Sequence, residues 1–157
     1  MRRFFDTDQH LTAPRGFFDP HWPAKYRDVM PRVIDQPDGT QAWAFDGGAV
    51  LARFGLDNAG GDNPNSLKNA LRYDELDPSF YDPKARVEAM DRDGVQAMLL
   101  FSSGGGAAAG TREDGLYRET FRAYNDAVLE WAQQGDPARI LPAAMIPCRD
   151  LEMSMVE

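Results

Sequence analysis

The amino-acid sequence predicts an α/β protein built on a parallel β-sheet. Two short apolar runs, residues 95–101 and 139–146, are typical of buried strands. The segments that precede them, residues 83–93 and 116–134, repeat apolar side chains at helical spacing. A further strand is predicted at residues 4–10. Strands that alternate with helices along a chain form parallel sheets with helices packed on their faces, so this order indicates the α/β class.

The first predicted strand, residues 4–10, ends in side chains of metal-binding types. If the apolar pair Phe4-Phe5 begins a buried strand, alternation places Asp6, Asp8 and His10 on one side. A carboxylate and an imidazole two residues apart can both reach one cation of zinc-like chemistry. Because Asp and His are also ordinary strand-end residues, the pattern alone leaves a structural role open. For Asp6 we favour hydrogen bonding to backbone donors over a place beside a metal.

Residues 11–79 are predicted to be mostly loop and turn, because prolines and glycines recur throughout them. One β-hairpin is predicted inside this segment, with residues 41–45 and 49–52 flanking the turn Asp-Gly-Gly at 46–48. Residues 60–65 have the composition of a linker. A loop region of this length is usually functional when it is ordered.

The remainder of the chain carries clear helix signals. Asp82 is a predicted N-cap, Pro83 suits the first helical position, and Gly94 suits the end of the helix. Asp150 is a candidate cap for a further helix. The helix predicted at 116–134 has an apolar face formed by five side chains, namely Tyr117, Phe121, Tyr124, Val128 and Trp131.

Residues 102–110 form a small-residue loop between a strand and a helix, a position where phosphates can bind. The P-loop pattern fails because Thr111-Arg112 stands where Lys-Ser or Lys-Thr is required. The dinucleotide-binding pattern has Ala109 at its last glycine position, and no acidic residue ends the third strand, where a ribose would need it. Nucleotide binding is therefore the weakest hypothesis, and a loop over a sheet edge or an active-site mouth is favoured.

Cys148 and His21 are further candidates for chemistry. A catalytic thiol needs a base within reach, so we favour a small, partly buried residue as the interpretation of Cys148, which is the single cysteine. Without a second cysteine no internal disulfide can form. His21 lies between prolines, and we favour a surface or packing role over one as a base.

Composition argues against several classes of partner. The chain has 157 residues and a net charge of −8, and this acidic balance disfavours nonspecific binding of nucleic acid or anionic membranes. No window approaches the roughly 18 apolar residues of a transmembrane helix, and the start lacks the apolar run of a signal peptide. We therefore expect a cytoplasmic protein with no nucleic-acid or membrane partner.

Several stretches, taken in order, carry a family resemblance. They are Phe-Asp-Thr-Asp-Gln-His at 5–10, the proline-rich segment after it, residues 79–95 with the strand to Phe101, residues 117–127, and residues 139–144. Together they resemble the amidohydrolase-related superfamily, and in particular its branch similar to aminocarboxymuconate-semialdehyde decarboxylase.

The resemblance implies a TIM-barrel, or (β/α)₈, fold with a divalent metal at its carboxyl-terminal mouth, zinc or alternatively manganese. Asp8 and His10 correspond to the family's ligand pair on the first strand, and Ser102 is expected near the mouth in contact with substrate. The family's other ligands and its catalytic acid or base have no counterpart here and are expected beyond residue 157. Residues 1–157 are thus expected to form the first three β/α units of the barrel, with 11–79 as an insertion and 80–157 as the regular units.

The predicted function is that of a metal-dependent hydrolase or nonoxidative decarboxylase acting on a small carboxylate or aromatic substrate, with this chain truncated and inactive alone. The alternative is a noncatalytic α/β protein that pairs with another chain through an open sheet edge, a homodimer being one such arrangement. A three-stranded parallel sheet by itself exposes its edges and apolar faces. We therefore expect the isolated chain to be marginally stable or prone to aggregation.

Overall fold

The computed structural model describes residues 3–45, 49–54, 72–102, 111–149 and 151–155. The strands in these ranges are β1 Phe4–Leu11, β2 Arg32–Asp35, β3 Gln41–Phe45, β4 Ala49–Arg53, β5 Val95–Ser102 and β6 Ile140–Pro142. The α-helices are α1 Pro83–Asp93, α2 Asp114–Gln134 and α3 Leu151–Met155. Short 3₁₀ helices occupy Ala24–Val29, Tyr73–Glu75 and Pro78–Phe80.

The parallel sheet has the order β1-β5-β6, and both of its strand pairs are parallel. Helix α1 packs on β5 and helix α2 packs on β6. The predicted α/β class is therefore confirmed. Since β5 lies between β1 and β6, the strand that carries Asp8 and His10 is at one end of this sheet.

Helix α1 begins and ends where the sequence predicts. Asp82 Oδ1 accepts hydrogen bonds from the backbone N–H groups of Lys84 and Ala85, at 2.9 and 2.8 Å, which satisfies donors that have no partner within the helix. Gly94 ends the helix with φ of 78°, a left-handed conformation that favours glycine.

Helix α2 begins two residues earlier than predicted because Glu113 caps it, its carboxylate accepting from Leu116 N–H at 3.0 Å. The predicted apolar face is confirmed. Each of its five side chains is buried: Tyr117, Phe121, Tyr124, Val128 and Trp131.

Strand β6 is much shorter than the predicted 139–146. Pro142 has no N–H to donate to a ladder, and among the described residues one further backbone bond to β5 follows, from Ala143 N–H to Leu100 O at 2.9 Å. Beyond it, the side-chain amide of Asn125 replaces a strand partner for Met145, accepting from its N–H at 2.8 Å and donating to its carbonyl at 2.9 Å. An apolar segment can thus leave the ladder before it ends, without pairing with a neighbouring strand.

The predicted hairpin is confirmed in the pairing of β3 with β4, although its turn at 46–48 and the linker-like residues 60–65 lie outside the described residues. Strand β2 adds an antiparallel partner to β3, which makes a three-stranded sheet of order β2-β3-β4. The sequence prediction missed β2 because it has only four residues and lies between Pro31 and Pro37.

Both sheets contribute to one hydrophobic core. Aromatic side chains from the region predicted as loop are buried with those of the parallel sheet and its helices: Phe17, Phe18, Trp22, Trp43, Phe45, Phe54 and Tyr73 join Met98, Leu100, Val128, Trp131 and Ile140. The rings of Phe17 and Tyr124 lie 6.0 Å apart. The region before α1 is therefore an integral layer of the fold. Within the described residues, no helix combines the length and apolar character needed to cross a membrane.

Candidate functional site

Asp8 and His10 lie together near the carboxyl end of β1. Asp8 Oδ1 is 3.4 Å from His10 Nε2, and the two side chains are exposed. His10 is the register partner of Phe101 on β5, and their ring centroids are 6.3 Å apart. The pair therefore presents one carboxylate oxygen and one imidazole nitrogen to solvent, beside an aromatic ring.

A β-bulge in β1 changes the predicted alternation. Asp6 pairs with Met98 but Gln9 pairs with Leu100, so β1 holds one more residue than β5 over this stretch. As a result Asp6 and Gln9 share a side, and Gln9 Nε2 donates to Asp6 Oδ2 at 2.7 Å. The expectation that Asp6 would lie on one side with Asp8 and His10 was wrong, because it assumed an unbroken period of two.

The role favoured for Asp6 is confirmed by its contacts. Its Oδ1 accepts a hydrogen bond from the backbone N–H of Asp8 at 3.1 Å. This bond satisfies a donor inside the bulge, where ladder pairing with β5 is interrupted. The Asp6 carboxylate thus holds the backbone at Asp8.

The premise that Phe4 and Phe5 begin a buried strand was wrong. The two residues remain 48% and 67% exposed, and β1 stands at the end of the order β1-β5-β6 of the described strands. Phe5 belongs to a wider apolar surface. Register and alternation place Phe5, Phe101 and Leu141 on one face together with His10. We call these three apolar side chains the open face.

Arg86 of α1 supports the strand from the opposite side. This buried side chain donates from Nη1 to Gln9 Oε1 at 2.8 Å and from Nη2 to the carbonyl of His10 at 3.0 Å. Burial lowers the pKa of Arg86 to about 10, and the charges of Asp6 and Asp77 act in the opposite direction. The sequence reasoning missed Arg86, although its position four residues before the buried Met90 places it on the inner face of α1.

Ser102, predicted to contact substrate, is half-buried at the end of β5. Burial raises the pKa of the Tyr124 hydroxyl to about 12, and the nearby Ser102 acts in the opposite direction. Ser102 therefore lies next to α2, and its contact with substrate stays a prediction. Residues 103–110 of the neighbouring loop lie outside the described residues.

The other two candidates are separate from the Asp8–His10 pair. His21 Nε2 lies 2.8 Å from Glu130 Oε2 on α2, which agrees with the favoured packing role. Cys148 is exposed, so its predicted partial burial was wrong. Its thiol donates to the carbonyl of Ile146 at 3.2 Å, because β6 has already ended and this segment runs over the surface.

The donor set of the Asp8–His10 pair fits half of a zinc site. Zinc in proteins takes imidazole nitrogen and carboxylate oxygen in four-coordinate sites, and two such donors lie 3.4 Å apart here. Among the described residues, no group of three or more His, Cys, Asp or Glu side chains converges in this way. A zinc site built on this pair would take its other protein donors from outside the described residues.

A cavity of about 470 Å³ lies at the other end of the parallel sheet. Its lining includes Arg3, Phe5, Gly94, Gln96 and Arg139, all near the amino ends of the strands. Arg139 is already engaged there, with Nη1 2.7 Å from Asp91 Oδ1 and with bonds to the carbonyls of Val95 and Gln96. This cavity is distinct from the Asp8–His10 pair.

The fold of this chain is like that of an amidohydrolase. The crystal structure of an amidohydrolase from Mycobacterium avium subsp. paratuberculosis K-10 matches it with a TM-score of 0.69 and 17% sequence identity. The match covers 98% of this chain and 44% of that chain, so this chain spans less than half of the length of the solved structure. No protein-family profile matches the chain, and no curated protein matches its sequence. The likeness concerns the fold alone.

Proposed function

We propose that this chain forms the first part of a (β/α)₈-barrel enzyme that uses a divalent metal, zinc in the first instance, for hydrolysis or nonoxidative decarboxylation. The observation that carries the proposal is the Asp8–His10 pair, 3.4 Å apart near the carboxyl end of the first parallel strand. Active sites of such barrels lie at the carboxyl ends of their strands. The amidohydrolase-like fold supports the same assignment.

Each residue of the pair has a defined part in this proposal. A divalent cation held by these residues would supply Lewis-acid polarisation of a substrate carbonyl or carboxylate oxygen. Asp8 supplies a carboxylate oxygen and His10 an imidazole nitrogen as ligands, and both are exposed to an incoming ion. Phe101, beside His10, provides an apolar wall suited to a small aromatic substrate. The remaining ligands and the catalytic acid or base come from polypeptide outside the described residues.

Zinc titration of the chain and of single-residue variants tests the proposal. Competition with a chromophoric chelator measures the Kd of the wild type, Asp8→Ala and His10→Ala. We expect each substitution to weaken zinc binding at least about 10-fold, because each removes one of the two ligands. His21→Ala is the matched control, since it removes the other histidine, which pairs with Glu130, and its Kd should equal that of the wild type.

Two outcomes contradict the metal proposal. One is a wild-type chain that is folded by circular dichroism and takes up no zinc. The other is zinc binding that neither Asp8→Ala nor His10→Ala weakens.

A second function is favoured by the open face. Phe5, Phe101 and Leu141 are 67%, 37% and 46% exposed. Exposed apolar side chains that share one face can form a site of protein–protein contact, so we propose a second copy of the chain as the occupant of this face in a noncatalytic protein. In the metal proposal the open face is covered by further parts of the same polypeptide. In this second proposal it is covered by another copy of the chain.

Sedimentation velocity separates the two proposals. If copies pair through the open face, the double variant Phe101→Ser/Leu141→Ser shifts the chain from dimer to monomer. Leu129→Ser is the control, because Leu129 is 52% exposed on α2 and away from the open face. A monomeric wild type over the full concentration range contradicts pairing of copies.

A further inference from the structure

We infer that Arg86 is a positioning residue for the candidate ligands, because it holds the backbone that carries Asp8 and His10 from the far side of the sheet. This inference rests on the proposed metal site. It adds to that proposal a residue that itself touches neither metal nor substrate, and it explains how an exposed pair on a bulged end strand keeps its geometry.

The direct contact is with His10. Arg86 Nη2 donates to the His10 carbonyl at 3.0 Å, while Nη1 donates to Gln9 Oε1 at 2.8 Å. A planar guanidinium that bonds through two nitrogens sets both the distance and the orientation of the groups it binds. Because the peptide group at His10 is held in this way, the direction in which the imidazole leaves the strand is held as well.

The indirect contact reaches Asp8 through a chain of hydrogen bonds. Gln9 accepts from Arg86 and donates to Asp6 Oδ2 at 2.7 Å, and Asp6 Oδ1 accepts from Asp8 N–H at 3.1 Å. The bulge leaves this part of β1 without regular ladder pairing to β5. Side-chain hydrogen bonds therefore replace backbone hydrogen bonds in the part of β1 that carries the two candidate ligands.

Arg86 is held firmly enough to act as such a support. Its side chain is 7% exposed, its guanidinium lies 6.0 Å from the ring of Phe80, and its backbone belongs to α1. Buried groups on helices place a site more accurately than groups on loops. Removal of residues that orient metal ligands typically weakens metal binding by about 10–100-fold.

The same sheet offers a matched comparison at its opposite end. Arg139 also links α1 to a strand, through Asp91 and the carbonyls of Val95 and Gln96. Arg139 therefore links α1 to the amino end of β5, as Arg86 links α1 to the carboxyl end of β1. A general loss of helix-to-strand contacts should follow from either substitution, whereas loss of ligand geometry should follow only from that of Arg86.

The test measures zinc Kd and stability to urea for Arg86→Met and Arg139→Met. We expect both variants to unfold at lower urea concentration, and only Arg86→Met to bind zinc about 10–100-fold more weakly than the wild type. Zinc binding by Arg86→Lys should also be weak, since a single ammonium group cannot form the paired hydrogen bonds of a guanidinium. If Arg86→Met fails to fold, Gln9→Met takes its place in the test, because it breaks the link to Asp6 and keeps Arg86. We expect Gln9→Met to bind zinc about 10-fold more weakly than the wild type.

The outcomes distinguish this inference from the proposed function. If Asp8→Ala and His10→Ala abolish zinc binding but Arg86→Met, or Gln9→Met in its place, binds like the wild type, the positioning role is overturned and the metal site stands. Equal weakening in Arg86→Met and Arg139→Met also overturns it, since the effect is then one of general stability. A wild type that binds no zinc overturns both.

Discussion

The two faces of the parallel sheet carry similar side chains but have different surroundings. Met98, Leu100 and Ile140 are 2%, 0% and 1% exposed under the helices. On the open face, Phe5, Phe101 and Leu141 remain accessible, and His10 lies among them. Strands that are buried on both faces have continuous apolar sequences. The sequences of β5 and β6 are of this kind, although the described helices cover one face of the sheet. The covered face accounts for stability, and the open face is the one available to a ligand or a partner.

The largest expected difference between the faces is in the cost of removing a side chain. Leu100→Ala should lower the free energy of unfolding by about 3 kcal/mol, because it leaves a cavity in a packed core. Phe101→Ala, next in sequence and on the open face, should cost less than about 1 kcal/mol. Urea denaturation of the two variants measures both values. Equal losses would show that the open face is covered in solution.

The covered face should also show a response to alkaline pH. Burial raises the pKa of Tyr124 to about 12 from its usual 10. The stabilisation linked to its neutral hydroxyl is fully present below pH 10 and is lost as pH rises from 10 to 12, by about 2–3 kcal/mol. Tyr124→Phe should remove this part of the pH dependence. The check is the slope of unfolding free energy between pH 9 and 12, and identical slopes for variant and wild type would contradict the assignment.

The smallest effect concerns the start of the helix that covers β5. Asp82→Ala removes the acceptor for Lys84 N–H and Ala85 N–H and should cost about 1 kcal/mol. Asp93→Ala, at the other end of α1 and exposed, is the control and should change stability by less than about 0.5 kcal/mol. Thermal unfolding followed by circular dichroism resolves the two. If Asp93→Ala lowered stability as much as Asp82→Ala, loss of the N-cap would be excluded as the cause.

Local signals predicted the covered side of the fold well. Asp82, Pro83 and Gly94 mark the ends of α1 through short-range rules, and the stripe from Tyr117 to Trp131 marks the buried face of α2 through helical periodicity. Such rules involve residues that are close in sequence, so the amino-acid sequence of one protein is sufficient to apply them.

Long-range features could not be predicted in the same way. The bulge that separates Asp6 from the Asp8–His10 pair arises from the pairing of β1 with β5, which no local pattern reveals. Arg86 contacts residues 76 and 77 positions away, and an arginine on a helix is by default a solvent-exposed residue. The early end of β6 depends on Asn125, a side chain from the preceding helix.

The pairing of β1 with β5 has a consequence for the order of folding. Phe4 and Val95 are neighbours in the sheet but lie about ninety residues apart in the chain. Contacts between distant residues carry a larger loop-closure entropy and slow folding, whereas α1, β5 and α2 follow one another directly. We expect β1 to dock late, onto a preformed helix–strand–helix unit, so that the segment bearing Asp8 and His10 is the last part of the sheet to form and the first to detach under stress.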